Sequence, residues 1–90
     1  MFYVYILFSE KDKKLYTGFS PDLKSRITAH QKGFVKATKH RRPLRLIYYE
    51  SYFSELDARR REKYLKGGNG REQMKQQLKD VFKKIKYNFR

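Results

Sequence analysis

Five side chains scattered along the chain are of the types that together can hold an oxyanion and handle a proton: Tyr5, Tyr16, Arg26, His30 and Glu62. A guanidinium is charged at any physiological pH and offers a planar fork of N–H donors to an anion. A carboxylate is a hard oxygen ligand for a cation. An imidazole exchanges its proton near neutrality, whereas a phenol, with an ordinary pKa of about 10, is a base only where its surroundings stabilise the phenolate. Taken singly, each residue has a plainer reading. Strand tyrosines usually pack, helical arginines are usually solvated, a single histidine is more often structural than catalytic, and a lone glutamate often pairs with a neighbouring arginine. Their order along the elements that carry them changes that weighing.

Residues 2–8 are almost wholly apolar and rich in Phe, Tyr, Val and Ile, as a strand buried on both faces requires. A turn-forming SEKDKK follows, then a second short strand, LYTGF, so the two read as an antiparallel hairpin. A loop from Ser9 to Asp12 would pair Tyr5 with Tyr16 and stand two hydroxyls side by side. Gly18, without a Cβ, allows close approach of backbone or phosphate, or else a simple kink. Ser20-Pro21-Asp22 opens a helix with a capping hydroxyl, a proline at the first helical position and a carboxylate at the positive end of the dipole, and Gly33 ends it. Leu23 and Ile27 make its core stripe, with Arg26 and His30, spaced i and i+4, along the margin.

Residues 34–43, FVKATKHRRP, read as a basic loop, and LRLIYYESYF as a third strand. Ser54, with Asp57 in the capping-box position, starts a helix reaching about Lys66. Ala58 and Leu65 mark its inward face, and Glu62 lies between them as the only carboxylate from Arg59 to Lys66. GGNG at 67–70 breaks that helix, and Met74, Leu78, Val81, Phe82 and Ile85 set the apolar face of a bracing helix at about 71–86. The expected architecture is α/β, a small three-stranded antiparallel or mixed sheet flanked by three helices, in one domain over residues 1–90 with a motif-bearing core at 2–66.

The charge points to the partner. Lys and Arg number 23 against 9 Asp and Glu, a net +14, and no acidic residue occurs from Leu23 to Tyr49, so a polyanion is implied, nucleic acid first. The cations expected to touch it are Lys13, Lys14, Lys24, Lys36, Lys39, His40, Arg41 and Arg42. A merely solubilising surface is the plainer alternative. With no cysteine there are no disulfides, thiolate metal sites or cysteine nucleophiles, which suits the cytoplasm. The apolar opening MFYVYILF is too short to span a bilayer, so no membrane partner is expected.

The residues and their order resemble the GIY-YIG nuclease family. Tyr3-Val4-Tyr5 stands at the first motif and Tyr16-Thr17-Gly18 at the second; Arg26 follows Tyr16 by ten residues, His30 by four more, and Glu62 lies in the next helix within ARRREKYLK. The compact size is similar to the small stand-alone bacterial members and to the nuclease module of the bacterial excinuclease. Tyr3 replaces the first-motif glycine, and neither Asn69 nor Asn88 matches the asparagine that many members carry after the acidic helix.

The resemblance implies a DNA endonuclease, directed by structure or damage as in DNA repair, with RNA as a further candidate substrate and a monomer as the default state. It uses Mg²⁺ or Mn²⁺ on Glu62, with Arg26 on the scissile phosphate. Tyr16, with Tyr5 beside it, would orient or deprotonate water, and His30 would accept the proton in relay. The competing reading is a catalytically silent nucleic-acid-binding module that grips backbone with the same basic face and stacks its tyrosines on bases. An inward carboxylate in a cationic cleft separates the two, because a pure binder has no use for it. A third reading, a basic accessory protein docking on an acidic partner, predicts binding without nucleic acid.

Overall fold

The computed structural model describes residues 1–85; Asn88 and the last residue expected in the bracing helix lie outside them. Strand β1 (Phe2–Ser9) and β2 (Leu15–Ser20) are followed by helix α1 (Leu23–Lys32), a 3-10 turn (Lys39–Arg41), β3 (Leu44–Tyr52) and helices α2 (Glu55–Lys66), α3 (Gly68–Gln77) and α4 (Lys79–Lys84). The sheet is wholly antiparallel, in the order β2-β1-β3.

The apolar run of β1 has its cause in that order. As the central strand it is covered on both faces, and Val4 to Ser9 are each at most 2% exposed. Because alternate residues point to opposite faces, Val4 and Ile6 enter a core with Ala58 and Leu65 of α2, Met74 of α3, Leu78, and Phe82 of α4. Tyr5 and Leu7 enter the other, smaller core, with Leu44, Tyr16 and the α1 residues Leu23 and Ile27. Full burial of each large apolar side chain is worth about 1.5–3 kcal/mol, so the sheet is fixed chiefly through β1.

Three local expectations are corrected. The hairpin is shifted by two residues: Tyr5 opposes Gly18, and Tyr16 opposes Leu7. Ser9 sets this register by accepting the Lys13 amide on its carbonyl and the Asp12 amide on its hydroxyl. The cap of α1 is Asp22, whose carboxylate accepts the Ser25 amide at 3.1 Å; Pro21 stands before the helix and Ser20 accepts the Asp22 amide instead. The C-terminal brace is two helices, broken at Leu78 with φ −104° and ψ 27°. No glycine or proline marks that break; the bend lets Met74, Leu78 and Phe82 all follow the sheet into one core.

Other expectations are met locally. Gly33 ends α1 at φ 80°, and Ser54 caps α2 by accepting the Asp57 amide, although the Asp57 carboxylate turns to Arg60. At the α2–α3 junction a Cβ on Gly70 would collide with the Tyr64 carbonyl oxygen and the Leu65 Cα, so GGNG both stops one helix and admits the next at close range.

Candidate active site

The site is built around His30. This residue comes from the last turn of α1 and is wholly buried. Its Nε2 lies 2.8 Å from the Tyr5 hydroxyl and its Nδ1 2.7 Å from the Thr38 hydroxyl, both contacts buried. Tyr5 approaches the imidazole edge-on at 5.6 Å between centroids and Tyr16 at 5.3 Å, so both phenol rings meet the imidazole. The shifted register makes this possible. Tyr5 lies opposite a residue with no side chain, and a Cβ on Gly18 would strike the tip of the Tyr5 phenol. Gly18 is therefore the space that Tyr5 occupies, while Tyr16, diagonal to Tyr5 on the same face, reaches the imidazole from the next position.

Arg26 lies one helical turn before His30, and its guanidinium favours the ionised form of the Tyr5 phenol by hydrogen bonding and by charge. Its Nε is buried and has no hydrogen-bond partner among the described residues. Such an orphaned donor is costly unless an acceptor reaches it. Glu62, on α2, keeps a fifth of its side-chain surface exposed and accepts from Lys66 Nζ at 3.0 Å. Its negative charge is felt at the Tyr5 phenol, which ties the α2 carboxylate electrostatically to the α1 side of the sheet.

The protonation states follow from burial. Desolvation holds Tyr5 above the usual phenol range, helped by the charges of Tyr16 and Glu62 and opposed by Arg26, so Tyr5 is a neutral hydroxyl at pH 7. Burial, and then the Arg26 charge, push His30 down to about 4. The neutral ring carries one N–H. One ring nitrogen therefore donates and the other accepts, with the Tyr5 hydroxyl at Nε2 and the Thr38 hydroxyl at Nδ1. Burial thus keeps the ring neutral at pH 7, and its two nitrogens hold the Tyr5 and Thr38 hydroxyls. Thr38 escaped the sequence reading because the loop has no periodicity, and a threonine among lysines carries no signal of its own.

The basic residues divide into two groups. Lys13 and Lys14 at the hairpin turn, Lys24 on α1, and Lys36, Lys39, His40 and Arg42 on the loop are exposed. Arg41 is half-buried and committed to Asp12, with Nε 2.6 Å from a carboxylate oxygen and a further bond to the Leu15 carbonyl. That pair pulls Asp12 down to about 2, chiefly through the Arg41 hydrogen bond. Arg41 thus clamps the loop to the hairpin, and Ser9 Oγ, donating to the Arg41 carbonyl at 2.6 Å, clamps it a second time. The loop that supplies Thr38 is thereby held over His30.

As a metal site the donor set is sparse. Among the described residues no group of three or more His, Cys, Asp and Glu could enclose an ion, and both His30 nitrogens are already engaged. Glu62 is left as a single hard carboxylate, with Lys66 on one of its oxygens. That set fits a hard divalent cation that keeps most of its waters and takes its other ligands from a bound substrate.

Residues 1–77 match the family model described as the GIY-YIG catalytic domain. The chain belongs to the GIY-YIG family. The GIY-YIG match ends with the last residue of α3, so it extends past the 2–66 core expected from the motifs and takes in the first half of the brace. Similar proteins include a UPF0213 protein of Clostridium perfringens, 45% identical over 67 residues, spanning 73% of this chain and 71% of that one. A UPF0213 protein of Staphylococcus haemolyticus is 40% identical over 74 residues, spanning 81% and 89%. The solution NMR structure of a UPF0213 protein from Bacillus halodurans superposes with a TM-score of 0.51 at 37% identity, covering 82% of each chain. Membership places the chain among nuclease-type domains. No helix among the described residues is long and apolar enough to cross a membrane.

Proposed function

We propose that this chain is a metal-dependent endonuclease that hydrolyses phosphodiester bonds in DNA and is directed by structure or damage rather than by sequence. It works in the cytoplasm as a single-domain monomer, with α3 and α4 as a brace. The observation that carries this reading is the meeting of two phenols with one buried imidazole, beside a buried Arg26 donor that lacks an acceptor among the described residues, with the Glu62 charge felt at the Tyr5 phenol. A pure backbone binder has no use for the Glu62 charge there, since it repels phosphate.

In this mechanism Arg26 takes the non-bridging oxygens of the scissile phosphate and stabilises the charge that grows on them; loss of one such donor typically costs about 10²–10³ in rate. Tyr16, half-exposed where Tyr5 is buried, orients the attacking water. Tyr5, kept protonated, and His30, kept neutral, hold the position of Tyr16 and Arg26. Glu62 holds Mg²⁺ or Mn²⁺, which when bound would neutralise charge at the phosphate and the departing 3′ oxygen. Lys13, Lys14, Lys24, Lys36, Lys39, His40 and Arg42 supply salt-dependent grip on flanking backbone. Small size leaves little room for base readout, which favours recognition of shape over sequence.

The test is cleavage of supercoiled plasmid and branched DNA with Mg²⁺ or Mn²⁺ by the parent, Glu62→Ala and Arg26→Ala. Nicking by the parent that both substitutions abolish supports the reading. Nicking that survives both removes the site, and tight binding without nicking under either metal turns the chain into the binding module.

A further inference from the structure

The flank of α1 turned away from Arg26 borders a groove of about 680 Å³ for which the cleavage chemistry has no use. At about 100° per residue, Lys24, Ile27 and Gln31 fall on this flank while Arg26 faces the other way. Ile27 and Leu46 of β3 supply apolar lining, Tyr3 and Tyr49 meet edge-on at 6.2 Å, and Lys24 and Asp22 stand at the rim. Tyr49 is 53% exposed and Leu46 38%, so the groove presents an open aromatic face beside aliphatic surface.

We propose that this groove takes one unpaired nucleobase, stacked on Tyr49, with the adjoining phosphate held by Lys24. The inference rests on the chain acting on DNA, and names what part of the DNA it reads. Three observations carry it. An exposed phenol ring over aliphatic lining accepts any flat π-face, and base-on-aromatic stacking is indifferent to sequence. No residue from Leu23 to Tyr49 is acidic, so of the groove's lining only Asp22 bears negative charge, and one of its oxygens is already held by the Ser25 amide. Its other oxygen suits the exocyclic amine of a base.

Position is the third observation. Tyr49 is the direct cross-strand partner of Tyr5, and Tyr3 stands two residues before Tyr5 on the same face. That is about 7 Å along the strand, or about two nucleotide steps at about 3.4 Å each. A strand running along this end of the sheet would therefore bring a base to the groove, which only a base free of its complement can enter. This is how a chain with little base readout could select nicked, flapped or damaged DNA.

The experiment measures binding without metal, in EDTA, by fluorescence anisotropy of the full chain. The probes are a 20-nucleotide single strand, its matched duplex, and an abasic strand of the same length. Tyr49→Ala is expected to weaken binding of the single strand about 5- to 100-fold, leaving duplex and abasic strand unchanged, while Tyr49→Phe binds like the parent. A 2-aminopurine in the single strand should be quenched by the parent and by Tyr49→Phe and not by Tyr49→Ala. Equal affinities for all three proteins, or a Tyr49→Ala loss shared by the duplex and the abasic strand, overturns the proposal. Because no cleavage is read, the two readings fail separately: a chain that nicks DNA with Tyr49-independent binding loses the groove and keeps the nuclease. Tyr49-selective stacking by a chain that nicks nothing does the reverse.

Discussion

Acid should weaken this fold through one residue before it touches any other cited group. His30 ionises near 4 in the folded chain and at about 6.5 when unfolded. Below pH 6.5 the unfolded state therefore binds the extra proton, and stability falls with pH until the folded ring is protonated too. A separation of this size amounts to about 2–3 kcal/mol lost between pH 7 and pH 4.5, with a slope approaching 1.4 kcal/mol per pH unit near the middle. Asp12 and Glu50, both held below their ordinary carboxylate values, add losses of the same sign only as pH drops further through the carboxylate range. The assay is urea unfolding at half-unit steps from pH 7.5 to 4.5, on the parent and on His30→Gln. The parent should show the slope and the variant should be flat, whatever its absolute stability. An NMR titration gives a second reading, since the chain has only two histidines. A parent and variant with the same slope, or a His30 ring that titrates near 6.5, would refute the buried, neutral imidazole on which the site is built.

Other outcomes follow from single contacts. Gly18→Ala should drive the Tyr5 phenol off His30, cost about 1–3 kcal/mol in chemical denaturation and depress nicking; an unperturbed variant would show that Gly18 is only a strand kink. Glu50→Gln should lower stability by about 2 kcal/mol, roughly 10 °C in Tm for a chain of this size, because its carboxylate accepts from Tyr48, Tyr52 and two Arg61 nitrogens. Its nicking per folded molecule should stay at the parent level, since this network ties β3 to α2 on the far face of the sheet. Lys36→Gln should reduce the slope of log K against log salt for DNA binding by about 0.9, whereas Arg41→Gln, already spent on Asp12, should leave the slope unchanged.

The elements were legible because their causes are local. A seven-residue apolar run implies a central strand, Gly33 and Ser54 mark helix ends, and the spacing of Ala58 and Leu65 gives the inward face of α2. The register was not legible, because it depends on what Tyr5 must avoid. Only the packed structure reveals that the phenol fills the space over Gly18. The same holds for His30. Spacing put it beside Arg26, but its burial and its bond to Thr38 arise from a loop clamped by Arg41 and Ser9, contacts 29 and 32 residues apart in sequence. The break at Leu78 was hidden for a different reason: helix periodicity continues through it, and Met74, Leu78 and Phe82 on both sides of it enter the same core.

The most direct measurement of the central claim is the single-turnover nicking rate of Tyr16→Phe, Arg26→Ala, Glu62→Gln and the Arg26→Ala/Glu62→Gln double variant. Residues that act as one unit lose rate non-additively. Each of the three is expected to fall at least about 100-fold, and the double variant no lower than the worse of its parents. A variant that nicks at the parent rate, or a double variant whose loss is the product of the two single losses, would mean that these side chains do not form one catalytic site.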